Sequence, residues 1–344
     1  MVKNSGKIYR VSTNFKTYEF LDGKCKKSSE KFSNVIEIAK FFKKHGNLKL
    51  ITDVKNSKFL KGQYSDGKAM GARINVLPDG RKLNKAYSLF SPKLTINEER
   101  LNHHWDVIYQ NPNGKFAYVY TLDKERYSKN KKYKKVEEFS KCLPKLKANL
   151  SKALTHDPIV LAMIILLKTK MRIGGEVYYL KNHHEGLTTL KKKNIKIFGN
   201  KISFSFLSKD GVPMKIIEDF PHEVILQLKK IIKNKKKNDF IFLDSNGHLF
   251  RDLDFEKAFE KYCGEKFYPH IVRSHYATEE AKNFLKKHDK FAKDEIKKLY
   301  TTIAEKLGHK KFSKKTNDWE NNYQVTLHYY IQPEIVEKIA KIMN

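Results

Sequence analysis

Apolar residues recur along this chain in two rhythms, and the change from one to the other divides it. Near the start, KIYRVS and KTYEFLDGKCK alternate apolar and polar positions around turn residues, as half-buried strands do. SNVIEIAKFFKKHG then shifts to helical spacing, with Ser33 set to cap the helix and Gly46 to stop it. Residues 47–113 follow no clear period. GKFAYVYTL alternates again and sets Phe116, Tyr118 and Tyr120 on one strand face.

From about residue 136 the helical period takes over. In THDPIVLAMIILLKTKMRIGG, Asp157 is the expected N-cap and Pro158 the first helical residue; the helix is apolar nearly all round, so it belongs inside a domain. NIKIF, KISFSFLS and PMKII then predict a small sheet, turning at SKDG, with Ile202, Phe204 and Phe206 on one side and Ser203 and Ser205 on the other. Further helices are expected over 222–234, 252–263, 274–287, 293–307 and 333–343, leaving 310–328 unassigned. The fold class is α+β: a small β-rich N-terminal domain, 1–123, and a mainly helical domain with a three-stranded sheet, 136–344. The basic run KERYSKNKKYKK, 124–135, is the expected linker, although such a run is more often only a solvated surface.

Charge narrows the class of partner. Lys and Arg number 70 against 38 Asp and Glu, a formal excess of +32. Lysine-rich coding accounts for some of it, but so large an excess repels itself unless a polyanion is near, and nucleic acid is the commonest one. No apolar run reaches the roughly 18 residues that span a bilayer, so a membrane is not the expected partner. Cys25, Cys142 and Cys263 are far apart in sequence and odd in number. They lack metal-ligand spacing or a disulfide framework, and MVKNSGKIYR has no apolar signal core. Both point to an intracellular protein.

Candidate chemistry gathers in the second domain. Arg172 closes the buried helix in Met-Arg-Ile-Gly, and Lys209 tips a hairpin in Ser-Lys-Asp-Gly. Arg273 ends His-Ile-Val-Arg, His309 ends Leu-Gly-His, and Tyr330 begins Tyr-Ile-Gln-Pro-Glu. Each alone reads as an ordinary surface or packing residue.

Their order resembles the type IB DNA topoisomerases, of the compact poxvirus kind and its giant-virus version. The likeness runs through MRIGGEVYYLKNHHEGLTTLKKKNIKIFGNKISFSFLSKDG and on to Arg273, LGH and the tyrosine segment. It implies an enzyme that relaxes supercoiled DNA through a 3′-phosphotyrosine, with no ATP, metal or other cofactor. The partner it implies is double-stranded DNA, clamped by a monomer in the nucleus, a viral factory or a virion. On that resemblance Arg172, Arg273 and His309 stabilise the transition state, Lys209 is the general acid and Tyr330 the nucleophile. Lys115, Tyr118 and Tyr120 fall where relatives contact DNA.

The residue types suit the chemistry. Two forked guanidinium groups hold nonbridging phosphate oxygens as negative charge builds. A phenol makes the covalent link, and an ammonium protonates the leaving 5′-oxygen. Tyr329 and Tyr323 remain alternatives to Tyr330, since KKFSKKTNDWENN is inserted where the family usually keeps its tyrosine closer behind the histidine. Two positions depart from the family pattern. Pro-His-Ile-Val-Arg-Ser stands in place of Lys-Asp-Leu-Arg-Thr, which gives His270 and Arg273 the His-x-x-Arg spacing of tyrosine recombinases. Ala117 replaces a polar residue beside the strand tyrosines, which leaves any inherited target sequence open. A recombinase or integrase is therefore the alternative reading, and a non-catalytic DNA-binding protein of the same fold is another.

Overall fold

A computed structural model describes residues 7–21, 23–71, 73–97 and 104–343. Residues 1–6, part of the segment read against a signal peptide, and 98–103, inside the unassigned stretch, lie outside the described residues. The chain divides into two units, with the boundary between Lys131 and Lys132.

The first unit is built on short antiparallel strands. β1 (Ile8–Val11), β2 (Thr17–Leu21), β3 (Lys24–Lys27), β4 (Gln63–Ser65) and β5 (Lys68–Met70) form one sheet in the order β3-β2-β1-β4-β5. Helix α1 (Ser33–Lys44) supplies Val35, Ile38, Ala39 and Phe42 to the core, the i, i+3, i+4, i+7 stripe expected of it. Its start differs from expectation: Ser33 is the first helical residue, and Phe32 stands at the N-cap without a side-chain hydrogen bond. Residues 47–113 contain β6 (Ile74–Val76), β7 (Lys82–Tyr87), β8 (Thr95–Ile96) and β9 (Val107–Gln110). β6 and β8, of three and two residues, carry too few alternations to announce themselves. β10 (Phe116–Val119) completes a second sheet in the order β10-β9-β8.

Helix α2 runs from Leu122 to Ala153 and includes the basic run 124–135, so the helical part of the chain begins before residue 136. Its buried residues, Tyr133, Val136, Phe139, Leu146 and Leu150, start only at 133, which hid the first turns from a reading by period.

The second unit surrounds α3 (Pro158–Thr169), nine of whose residues are buried. Asp157 caps it through Ile159 N at 3.2 Å, with Pro158 at N1 as expected. Each fully buried Leu or Ile there contributes roughly 1.5–3 kcal/mol. After α4 (Glu176–Asn182) come β11 (Ile195–Phe198), β12 (Lys201–Leu207) and β13 (Pro213–Asp219), an antiparallel sheet that pairs Phe204 with Ile216 and Phe206 with Met214. Ile202, Phe204 and Phe206 are buried, and so is Ser203 from the opposite side.

α5 (His222–Ile232), α6 (Asp252–Cys263), α7 (Ile271–Lys287), α8 (Lys293–Leu307) and α10 (Pro333–Met343) follow the predicted spans closely, but α7 starts three residues early. The unassigned 310–328 holds a hairpin, β14 (Lys310–Ser313) with β15 (Asp318–Asn321), and most of helix α9 (Tyr323–Tyr329). Cys142 and Cys263, distant in sequence, have thiols close enough to interact; both are free, and burial pushes the Cys263 thiol up. No described helix is long and apolar enough to cross a membrane.

This unit has two apolar clusters. Ile271 and Val272, at the start of α7, belong to the one around α3, while Ala277 and Ala281 belong to another with Ile303, Leu307, Tyr330 and Ile339. The first turn of α7 therefore lies where the two meet.

Candidate active site

Arg172 sits on a loop fixed by its backbone. Leu187 N donates to Arg172 O and Thr188 N to Ile173 O, both at 2.8 Å. Gly174, at φ +87°, lies against Gly186 so closely that a Cβ on Gly186 would stand 2.5 Å from Gly174 N and 2.8 Å from Arg172 O. This is the physical content of Arg-Ile-Gly followed by Gly-Leu-Thr-Thr: two glycines let one turn lie on the other and hold the arginine between them.

Arg273 is only 2% exposed, a charge that must be hydrogen-bonded to be tolerated. Nη1 donates to Lys170 O at 2.6 Å, and Nη2 donates to Leu307 O at 2.7 Å and to His309 Nε2 at 3.1 Å. Its Nε has no partner among the described residues. Burial, then Arg172, brings its pKa down to about 10, so it is still a cation at working pH. Because guanidinium only donates, His309 Nε2 accepts here, and Nδ1 carries the hydrogen toward Thr326 Oγ1 at 2.7 Å. Burial, with Arg273 and Arg172, drives His309 down to about 2, so it is neutral. In this arrangement His309 orients Arg273. The phosphate-donor role expected of it needs Nε2 to leave Arg273 and to carry a hydrogen.

Tyr330 is buried at the end of α9. His270 Nε2 lies 2.8 Å from its hydroxyl oxygen, and Arg172 Nη2 donates to the same oxygen at 3.5 Å. The His309 ring is 4.4 Å from the Tyr330 ring, and the Arg273 guanidinium is 5.5 Å from it. Lys132 donates to Tyr329 O and stands 5.3 Å above the Tyr330 ring. His270 and Arg273 share the first turn of α7, three residues apart and so on one face. Burial first, then Arg273, Arg172, Lys132 and Lys209, lower His270 to about 3. The other two tyrosines are elsewhere: Tyr329 is 52% exposed, and Tyr323 stacks on Tyr300 at 6.3 Å.

Lys209 lies at the turn between β12 and β13, beside Asp210 at φ 65°, and has no polar partner among the described residues. It lines a cleft of about 310 Å³ together with Arg172, His270 and Arg273. Glu185 and Asp252 line the same cleft, and burial pushes both carboxyls up. Of the expected residues, Arg172 thus reaches the Tyr330 hydroxyl, His309 and Arg273 lie against the Tyr330 ring, and Lys209 shares a cleft with the two arginines. His270 and Lys132 were missed as site residues. His270 was visible only as a departure from the family pattern, and Lys132 was hidden among many lysines.

The expected DNA contacts belong to the first unit. Lys115 is exposed beside β10, Tyr118 is 44% exposed, and the Tyr120 hydroxyl lies 3.5 Å from His104 Nε2. Among the described residues no cluster of His, Cys, Asp and Glu is arranged to hold a metal ion.

Residues 123–334 match the family model of the eukaryotic DNA topoisomerase I catalytic core. A DNA topoisomerase 1B of Acanthamoeba polyphaga mimivirus is 27% identical over 170 residues, 45% of this chain and 49% of the relative. The DNA topoisomerase 1B of Vaccinia virus (strain Copenhagen) is 29% identical over 96 residues, 27% of this chain and 31% of the relative. The chain thus spans half the length or less of the curated relatives it matches. Among solved structures, a XerH site-specific recombinase bound to difH substrate overlays with a TM-score of 0.37 at 17% identity, over 59% of this chain and 52% of that one.

Proposed function

This chain belongs to the DNA topoisomerase I family, and from the site just described we propose that it relaxes supercoiled duplex DNA by transient cleavage of one strand. Tyr330 Oη attacks phosphorus in line, the bond to the 5′-oxygen breaks, and a 3′-phosphotyrosine forms. His270 Nε2 takes the phenolic proton, and Lys209 gives one to the leaving 5′-oxygen. Arg172 and Arg273 offset the charge that builds on the nonbridging oxygens. Religation reverses each step.

The observation that carries this reading is the Tyr330 hydroxyl held between His270 Nε2 at 2.8 Å and Arg172 Nη2 at 3.5 Å. The low basicity of His270 fits it as well. After burial, the causes are four cations around the imidazole. A phosphate among them brings compensating negative charge, so the base gains strength when substrate arrives.

The enzyme would act as a monomer on duplex DNA, with Lys115, Tyr118 and Tyr120 among its contacts. The test is supercoiled plasmid incubated with the protein in EDTA without nucleotide. Relaxed topoisomers are expected, and no relaxation, or an absolute need for magnesium, would overturn the mechanism. Recombination is the second reading, favoured by the His270–Tyr330 contact within His-x-x-Arg. Strand exchange between two duplexes in the same assay would select it.

A further inference from the structure

The proposed reaction leaves Lys310–Asn321 without a task. This hairpin pairs Phe312 with Trp319 and Lys311 with Glu320 and turns through Lys314, Lys315, Thr316 and Asn317, the last at φ 52°. Lys310, Lys311, Lys314 and Lys315 make no ion pair or side-chain hydrogen bond among the described residues. The nearby acids are turned elsewhere: Glu320 accepts from Thr316 Oγ1 at 2.9 Å, and Asp318 from Trp319 N at 2.6 Å. Other lysines of the same unit do find carboxylates, as Lys261 does with Asp157 at 2.8 Å and Lys282 with Glu279 at 3.0 Å. Beside the free ammonium groups, Phe312 is 43% exposed and lies edge-on to Trp319 with ring centroids 5.6 Å apart.

Unpaired positive charge next to the exposed Phe312 ring and the half-buried Trp319 ring suits a partner that offers negative charge and flat apolar edges together. Duplex DNA does so, with phosphates for the lysines and sugar edges for the rings. A two-stranded ribbon is marginal in water by itself, so it gains order from such a partner. The hairpin also joins the two halves of the site. It leaves the chain at His309 and returns at Asn322, whose N donates to His309 O at 2.7 Å and whose side chain caps α9. Thr326, one turn along α9, holds His309 Nδ1 and accepts from Tyr330 N at 3.0 Å.

We propose that Lys310–Asn321 is a second duplex-DNA contact, made by its lysines to phosphates and by Phe312 and Trp319 to sugars, so that docking DNA steadies His309 and Tyr330 together. This rests on the DNA-cleaving reading above, yet it can be tested apart from it. Noncovalent binding to a short duplex is measured against salt in the Tyr330→Phe background, where cleavage plays no part. Replacing Lys311, Lys314 and Lys315 with alanine should lower the log–log slope by about 0.9 for each phosphate lost, about 2.7 for three. Arginine at the same positions should keep the slope. With Trp105→Phe leaving Trp319 as the sole tryptophan, added duplex should shift its fluorescence.

An unchanged slope in the alanine variant, or an unmoved Trp319 signal, overturns the proposal. So does binding of phosphatidylserine vesicles that needs these lysines while duplex binding does not. A wild-type protein that binds duplex through the hairpin but never cleaves it would overturn the cleavage reading and leave this one standing.

Discussion

In the proposed mechanism Lys209 and His270 divide the proton work, and the role of Lys209 has its own signature. A lysine that only attracts phosphate lowers cleavage whatever the leaving group. A general acid matters only while the leaving oxygen needs its proton. Lys209→Ala should cleave an ordinary strand roughly 10²–10⁴-fold more slowly, but a 5′-bridging phosphorothiolate strand at nearly the wild-type rate, because a thiolate leaves unaided. Arg172→Ala should be slow on both, by about 10²–10³-fold, since the nonbridging oxygens it faces are unchanged. Equal defects of Lys209→Ala on the two strands would reduce it to an electrostatic contact.

His270 makes a prediction about stability. Its folded value lies near 3, below the 6.5 of a free imidazole. Between those values the unfolded chain binds a proton that the native state refuses, so stability is whole above pH 6.5 and drains away as pH falls toward 3. His309 acts in the same direction. Urea midpoints measured down this range should fall less steeply in His270→Gln than in the wild type. Parallel curves would mean that His270 is charged in the native protein.

At the scale of elements, much was legible because the signals are local. Asp157-Pro158 announced α3, and Ser-Lys-Asp-Gly announced the turn that carries Lys209. α6 and α8 kept their predicted bounds, since their apolar period and their C-cap glycines, Gly264 and Gly308, lie within them or next to them. What was not legible depends on distant partners. The proximity of Gly174 and Gly186 exists only once the loop is folded, and His270 meets Tyr330 across 60 residues. The start of α2 lacks apolar spacing, and its turns are supported instead by pairs such as Glu125–Lys129 at 2.9 Å.

The glycine contact can be tested. Gly186→Ala places a methyl group against backbone atoms at 2.5–2.8 Å, so the Arg172 turn must move. A cost of roughly 1–3 kcal/mol in stability and a loss of cleavage approaching that of Arg172→Ala are expected, with noncovalent DNA affinity nearly kept. Undiminished cleavage would show that Arg172 is not fixed from this side.

Across the whole molecule, the net charge of +32 and the family membership both favour the proposal of DNA as partner, but neither identifies the reacting atom. Charge belongs to the entire surface, and family likeness passes over an insertion that separates His309 from three tyrosines. Only Tyr330, of Tyr323, Tyr329 and Tyr330, has its hydroxyl against His270 and Arg172 among the described residues. The most direct measurement is therefore to trap the covalent complex on a duplex whose leaving fragment, the one that ends in the freed 5′-hydroxyl, diffuses away, digest it, and identify by mass spectrometry the residue that carries the DNA 3′-phosphate. Tyr330 is the result predicted, with no adduct from Tyr330→Phe. DNA on Tyr329 or Tyr323, or an adduct that survives Tyr330→Phe, would contradict the assignment of the site.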